Sequence, residues 1–233
     1  MIQLAHADAA ASINEQGAWV ETLTADGQAV LFPKSDFVTK AGEAKTRGGM
    51  HVCLPNFGPG GESGLAQHGF GRTSTWSVIQ QDESSVLLEL AATNEYAGLV
   101  AELEYRTERD SFVARLSLTN RGSIPLRVAP GFHPYFALDP SETAVTVNGE
   151  VFKLNEIAGT EYRDANSAEL LTAKRRIALT TENLSTWAIW TDQLGNYVCV
   201  EPTFGGNRFL GPEQPDEQLA AGETKTYSVQ LNW

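Results

Sequence analysis

The runs Leu99-Val100-Ala101-Glu102-Leu103-Glu104-Tyr105-Arg106 and Phe112-Val113-Ala114-Arg115-Leu116-Ser117-Leu118-Thr119, separated by Arg109-Asp110, decide the fold class. Leu99, Ala101, Leu103 and Tyr105 alternate with Glu102, Glu104 and Arg106; beyond Arg109-Asp110, Phe112, Ala114, Leu116 and Leu118 alternate with Val113, Arg115, Ser117 and Thr119. A strand turns successive side chains to opposite faces, so period two predicts two strands, each with one face in a core. A helix would need apolar residues every three or four positions instead. Working outward, the same period recurs at Val86, Leu88 and Leu90 and again at Tyr227, Val229, Leu231 and Trp233. Asp26-Gly27 between Ala18–Thr22 and Ala29–Phe32, and Asn148-Gly149 between Val145/Val147 and Val151, are hairpin turns, because these residue pairs accept the left-handed backbone of a tight connection. No window of a dozen residues carries helical spacing. The expectation is an all-β, mostly antiparallel protein, a large sandwich or barrel forming a single domain over residues 1–233, a size that β sandwiches reach undivided. Lys174-Arg175-Arg176 reads as a solvated strand face.

Composition narrows the function classes. Of 233 residues 42% are hydrophobic and five are tryptophan, enough for a sizeable core. No apolar run approaches the roughly 18 residues of a membrane span, and Met1 to Ala11 lacks the basic start and apolar centre of a leader, so a cytoplasmic protein is expected. Cys53 and Cys199 are too few for a disulfide framework and sit in apolar contexts that suit buried thiols. A net charge of −12 argues against nucleic acid and anionic membrane as partners. An anionic ligand would need a local arginine cluster.

Three stretches carry possible chemistry. In Ala129-Pro130-Gly131-Phe132-His133-Pro134-Tyr135-Phe136, two prolines hold the backbone of an aromatic turn around His133. The imidazole is either a core histidine or a group with a pKa near neutrality. From Gly42 to Arg72 the chain is rich in glycine, reading either as a loose insertion or as a loop wrapped around a site, with Arg47, His68 and Arg72 beside glycines and Gln67 preceding His68. No Lys-Ser or Lys-Thr follows Gly58–Gly64, so it is not a phosphate-binding P-loop. Both arginines have a plainer reading as solvated or ion-paired groups. In Tyr197-Val198-Cys199-Val200-Glu201-Pro202, Tyr197, Cys199 and Glu201 share a face; Glu201 either meets water at the strand end or is buried with a raised pKa. An imidazole and a carboxylate, each at a strand end, suit proton removal at one point and delivery at another.

Arg47-Gly48-Gly49, Gln67-His68-Gly69-Phe70-Gly71-Arg72-Thr73-Ser74-Thr75-Trp76, Gly131-Phe132-His133-Pro134-Tyr135-Phe136 and Val198-Cys199-Val200-Glu201-Pro202 together resemble, in order and context, the aldose 1-epimerase (galactose mutarotase-like) superfamily. Within it the likeness is strongest to the hexose-6-phosphate (glucose-6-phosphate) 1-epimerase branch. The resemblance implies a β supersandwich with a shallow cleft for a sugar or sugar phosphate, no cofactor and no metal. By position it implies that Glu201 is the general base for the C1 hydroxyl and His133 the general acid for the ring oxygen, the two facing each other across one pyranose. It implies that His68 bonds ring-side hydroxyls, that Gln67 lies beside it in the binding site, and that Arg47 and Arg72 hold a 6-phosphate. The chain departs from the pattern between Leu138 and Trp190, which is short for the branch. There Leu171–Arg176 lacks the family's sugar-gripping aspartate, and the resemblance assigns that role to neither Asp164 nor Asp192. His51 stands where proline is common, and Asn56 where an aromatic is common. Two classes of function are open: an anomer-interconverting isomerase, or a catalytically weak carbohydrate-binding protein of the same fold.

Overall fold

The computed structural model describes residues 1–233. It consists of strands, turns and short 3-10 segments, with no α-helix. Two nine-stranded antiparallel sheets carry the architecture. The first runs, edge to edge, through Ile2–His6, Ala9–Asn14, Trp19–Ala25, Met50–Cys53, Gly131–Ala137, Tyr197–Thr203, Thr186–Trp190 and Glu161–Asp164, with Gln28–Ala29 added against Trp19–Ala25. The second runs through Glu150–Lys153, Ala144–Val147, Ser167–Leu171, Arg176–Glu182, Thr224–Asn232, Ser111–Asn120, Leu99–Thr107, Ser85–Ala91 and Ser77–Gln81.

The alternation that defines the strands also defines the core. Leu99, Ala101, Leu103 and Tyr105 are buried, as are Phe112, Ala114, Leu116 and Leu118 on the neighbouring strand. From the first sheet, Met50, Val52, Phe132, Phe136, Val198 and Val200 join the same 47-residue cluster. Each buried aliphatic side chain contributes about 1.5–3 kcal/mol, which is what holds the sheets face to face. One geometric consequence matters for function. With Phe132 and Phe136 turned inward, His133 and Tyr135 must face outward; with Val198 and Val200 inward, Cys199 and Glu201 must face outward.

Several local expectations are corrected. His133 lies not in a turn but in the middle of the central strand Gly131–Ala137, and Glu201 lies inside Tyr197–Thr203 rather than at its end. Their order follows from hydrophobic neighbours, which outweigh the turn preference of the flanking prolines. The tract from Gly42 to Arg72 is not one irregular loop. It contains the strands Ala44–Arg47 and Met50–Cys53, the second wholly buried in the first sheet, and Gly48-Gly49 between them has the positive φ angles that hide this strand from a period-two reading. After Asp26-Gly27 the paired ladder is short, Gln28–Ala29, with the Val30 N–H still donating to the Leu23 carbonyl; the chain then crosses to Phe136, where Leu31 bridges and the Phe32 N–H donates to the Tyr135 carbonyl. Lys174 and Arg175 form a turn instead of a strand face, and Arg175 donates to the Ala25 carbonyl.

The Asn148-Gly149 hairpin forms as expected, with φ angles of 48° and 81°. A Cβ at Gly149 would meet nothing within 4 Å, so Gly149→Ala isolates the backbone term. A loss of about 1 kcal/mol in unfolding free energy is expected by denaturant titration. A neutral result would mean that the turn tolerates an L side chain.

Candidate active site

Adjacent strands of the first sheet place His133 and Glu201, while Arg47 comes from the separate strand Ala44–Arg47 and Gln67, His68 and Arg72 from the segment after Met50–Cys53. Gly131 pairs with Thr203 and Tyr135 with Cys199, a register that sets His133 directly opposite Glu201. Between those pairs lie Pro134 and Pro202, which cannot donate to the ladder, so the two strands are held there by packing rather than by hydrogen bonds. On the other side His133 pairs with His51. Directly opposite residues on one face approach closely, and here His133 Nε2 lies 3.3 Å from Glu201 Oε2. The contact lacks hydrogen-bond geometry, so Glu201 Oε2 is buried without a partner, and His133 Nδ1, on the other side of the ring, is buried without one as well.

These two side chains form the floor of a cleft of about 450 Å³, whose walls include His68, Gln67, Arg47 and Arg72. All six residues singled out from the sequence therefore converge, although they span 155 positions from Arg47 to Glu201. The imidazole of His133 stacks on the Tyr135 ring at 4.6 Å and 13°, which fixes its plane. Trp190 stands edge-on to it at 6.0 Å.

Burial sets the charge state. It pushes the Glu201 carboxyl well above the usual carboxylate range. It also pulls His133 well below the ordinary imidazole value, helped by His51, His68, Arg72 and Arg47, so the near-neutral pKa expected from the sequence is corrected downward. In the free cleft burial thus disfavours the charged form of both groups, favouring the carboxylic acid and the neutral imidazole. His68 is lowered to about 3, first by burial and then by Arg72 and Arg47. The Gly58 N–H donates to its Nδ1 at 3.2 Å, so the neutral ring carries its proton on Nε2. That nitrogen lies 3.3 Å from the Gln67 amide. His68 sits at φ 64°, and the following Gly69 passes so close to the Leu54 carbonyl that a Cβ would come within 2.0 Å of it. The turn is what aims the ring.

The two arginines differ. Arg47 Nε donates to Asp192 at 2.7 Å, and the Arg47 guanidinium lies over Trp190 at 5.4 Å, so the ion-pair reading holds for this residue while it still lines the cleft. Asp192 also accepts from the Tyr197 hydroxyl. Arg72 has no carboxylate partner and donates to the Gln67 carbonyl at 3.1 Å. Lys45 adds a third cation to the wall, two positions before Arg47 on the same strand face. Glu201 is the sole acidic residue lining the cleft, and no aspartate lines it. Sequence reasoning passed over Lys45, Thr160, Tyr162, Trp190 and Asn207 of the lining. For Lys45 a signal existed: it shares its strand face with Arg47. Asn56, in place of an aromatic, is buried and donates to the Gly58 and Ala66 carbonyls, bracing the wall loop.

Residues 1–172 match the family model described as Aldose 1-epimerase. Two curated bacterial proteins, each named "Putative glucose-6-phosphate 1-epimerase", are similar in sequence. The one from Salmonella typhimurium is 29% identical over 168 residues, covering 67% of this chain and 55% of that protein. The one from Escherichia coli is 35% identical over 86 residues, covering 36% and 29%. The chain thus spans about half or less of the length of these relatives. Among solved structures, a galactose mutarotase-like protein from Lactobacillus casei superposes with a TM-score of 0.82 at 17% identity, covering 100% of this chain and 99% of the other. A galactose mutarotase-like protein from Clostridium acetobutylicum gives 0.74 at 17% identity, covering 99% and 95%. At such identities the likeness is one of fold.

Proposed function

Because the chain belongs to the aldose 1-epimerase family, we propose that it interconverts the α and β anomers of a hexose carrying a 6-phosphate. The observation that carries this reading is the His133–Glu201 pair, 3.3 Å apart, on the floor of a cleft whose other charged residues are Lys45, Arg47 and Arg72. Ring opening takes a proton from O1 and gives one to O5. These two oxygens are bonded to the same carbon, so donor and acceptor serve best side by side, as here, rather than on opposite sides of the ring. Glu201 removes the proton from the C1 hydroxyl, His133 protonates the ring oxygen, and the C1–O5 bond breaks. Rotation about C1–C2 and reclosure, with the two roles reversed, yields the other anomer. To start this cycle the proton that burial places on Glu201 passes to His133. His68 Nε2–H and the Gln67 amide donate to sugar hydroxyls. In a chain of net charge −12, a cleft with three cations and one buried carboxyl supports an anionic substrate.

The absence of an aspartate in the cleft lining favours a second reading, a carbohydrate-binding protein of negligible rate. Exchange NMR on a panel of hexoses and their 6-phosphates separates the two. Exchange faster than buffer supports the enzyme, whereas saturable binding at the buffer rate refutes it.

The pH profile of kcat/KM follows from the same pair. Activity requires one titrating proton on it, so loss at low pH reports charging of His133 and loss at high pH reports ionisation of Glu201. Burial opposes both events. The acid limb is therefore expected below the ordinary imidazole value of about 6.5, and the alkaline limb above the ordinary carboxylate value of about 4.3. A half-maximal acid limb at or above pH 6.5 would mean that His133 titrates like an exposed imidazole.

A further inference from the structure

Beneath the proposed proton-transfer pair lies a group that the sugar chemistry does not use. Cys199 is wholly buried, two residues before Glu201 on the same strand face, and pairs with Tyr135, two residues after His133. One ligand atom from each of His133, Cys199 and Glu201 falls within 4.8 Å of the others. None of the three side chains makes a hydrogen bond, and two of their polar atoms, His133 Nδ1 and Glu201 Oε2, are buried and orphaned. A nitrogen, a sulfur and an oxygen thus converge at adjacent positions of one sheet face with their lone pairs uncommitted. The nearby Cys53 differs. It lies 3.3 Å from His68 Nδ1, but that nitrogen already accepts from Gly58.

We infer that His133, Cys199 and Glu201 form a binding site for a thiophilic divalent cation of the zinc type. A tetrahedral zinc with bonds of about 2.0–2.3 Å holds its ligand atoms roughly 3.5 Å apart, so side-chain rotations of about an ångström close the triad. Binding releases the carboxyl and thiol protons to solvent. The carboxylate and thiolate then cancel the two charges of the ion while the imidazole stays neutral, and a neutral assembly is the form that a buried site accepts. The soft thiolate ligand selects against hard ions such as Mg²⁺ and Ca²⁺. His133 and Glu201 line the cleft, which leaves the fourth position open to it. A bound ion occupies both groups of the acid/base pair, so it inhibits anomer exchange; this consequence rests on the proposed function, whereas the binding does not.

The test uses the full chain, freed of metal by a chelator and titrated with Cd²⁺, following thiolate-to-metal charge-transfer absorption in the ultraviolet. One equivalent should bind with such a band. The band should vanish in Cys199→Ser and persist in Cys53→Ser. If Cys199→Ser does not fold, Glu201→Gln should weaken Cd²⁺ binding about tenfold or more with both thiols intact. No band, a band that survives Cys199→Ser, or a band lost in Cys53→Ser overturns the site. In parallel, Zn²⁺ should suppress exchange and a chelator restore it. A Cd²⁺ band in a protein that never accelerates exchange retains the metal site and removes the proposed function. Exchange untouched by Zn²⁺, with no Cd²⁺ band, does the reverse.

Discussion

Replacing Glu201 with Gln is expected to slow anomer exchange by about 10²–10⁴-fold, the range that a positioned acid/base group contributes. The substitution is informative because the fold should scarcely notice it. Glu201 is buried, and burial already favours its uncharged form, so the amide matches both the shape and the charge of the side chain it replaces. Its Oε2 has no partner to lose. The unfolding midpoint should therefore stay within about 4 °C, equivalent to roughly 1 kcal/mol for a chain of this size. What the amide lacks is a carboxylate that can take the C1 hydroxyl proton and an acidic proton to pass to His133, 3.3 Å away. Unchanged exchange by NMR in a folded Glu201→Gln protein would remove the pair from the mechanism.

Arg72→Ala should divide substrates by their phosphate. Arg72 is the arginine of the cleft without a carboxylate partner, so its charge is available to a ligand, whereas that of Arg47 is matched by Asp192 at 2.7 Å. A guanidinium can give a phosphate two charge-assisted hydrogen bonds, each contributing about 1.5–3 kcal/mol. Their removal should lower kcat/KM for a hexose 6-phosphate by roughly 10²-fold or more and leave the free hexose within about twofold. Arg47→Ala should behave differently, because it also strands Asp192 and unsettles Trp190 and Tyr197. Equal losses on both substrates in Arg72→Ala, or equal wild-type activity on both, would take the phosphate out of the proposal.

Much of the fold was legible because strand patterns are local. Leu99 to Thr119 and the closing strand through Leu231 needed no tertiary information, since one buried face imposes alternation on any strand. The failures share a cause. Met50–Cys53 is buried on both faces and only four residues long, too short for its alternation to stand out, and glycines in left-handed conformations precede it. His133 stood among turn-forming residues whose preferences were overridden by burial of Phe132 and Phe136. In the site, the residue types were readable but their partners were not. Arg47 and Asp192 are 145 positions apart, and no sequence spacing announces that they meet.

The sequence by itself determined the β class, the assignment of side chains to strand faces, and the stock of imidazole, carboxyl, thiol and guanidinium groups from which a site could be built. Only the tertiary structure decided that His133 and Glu201 are neighbours, that Arg72 rather than Arg47 has an unmatched charge, and that Cys199 lies against the pair. The reason is physical. Which face a side chain takes depends on the geometry of its own backbone, whereas register between remote strands, and the charge state that burial confers, depend on how the whole sheet packs.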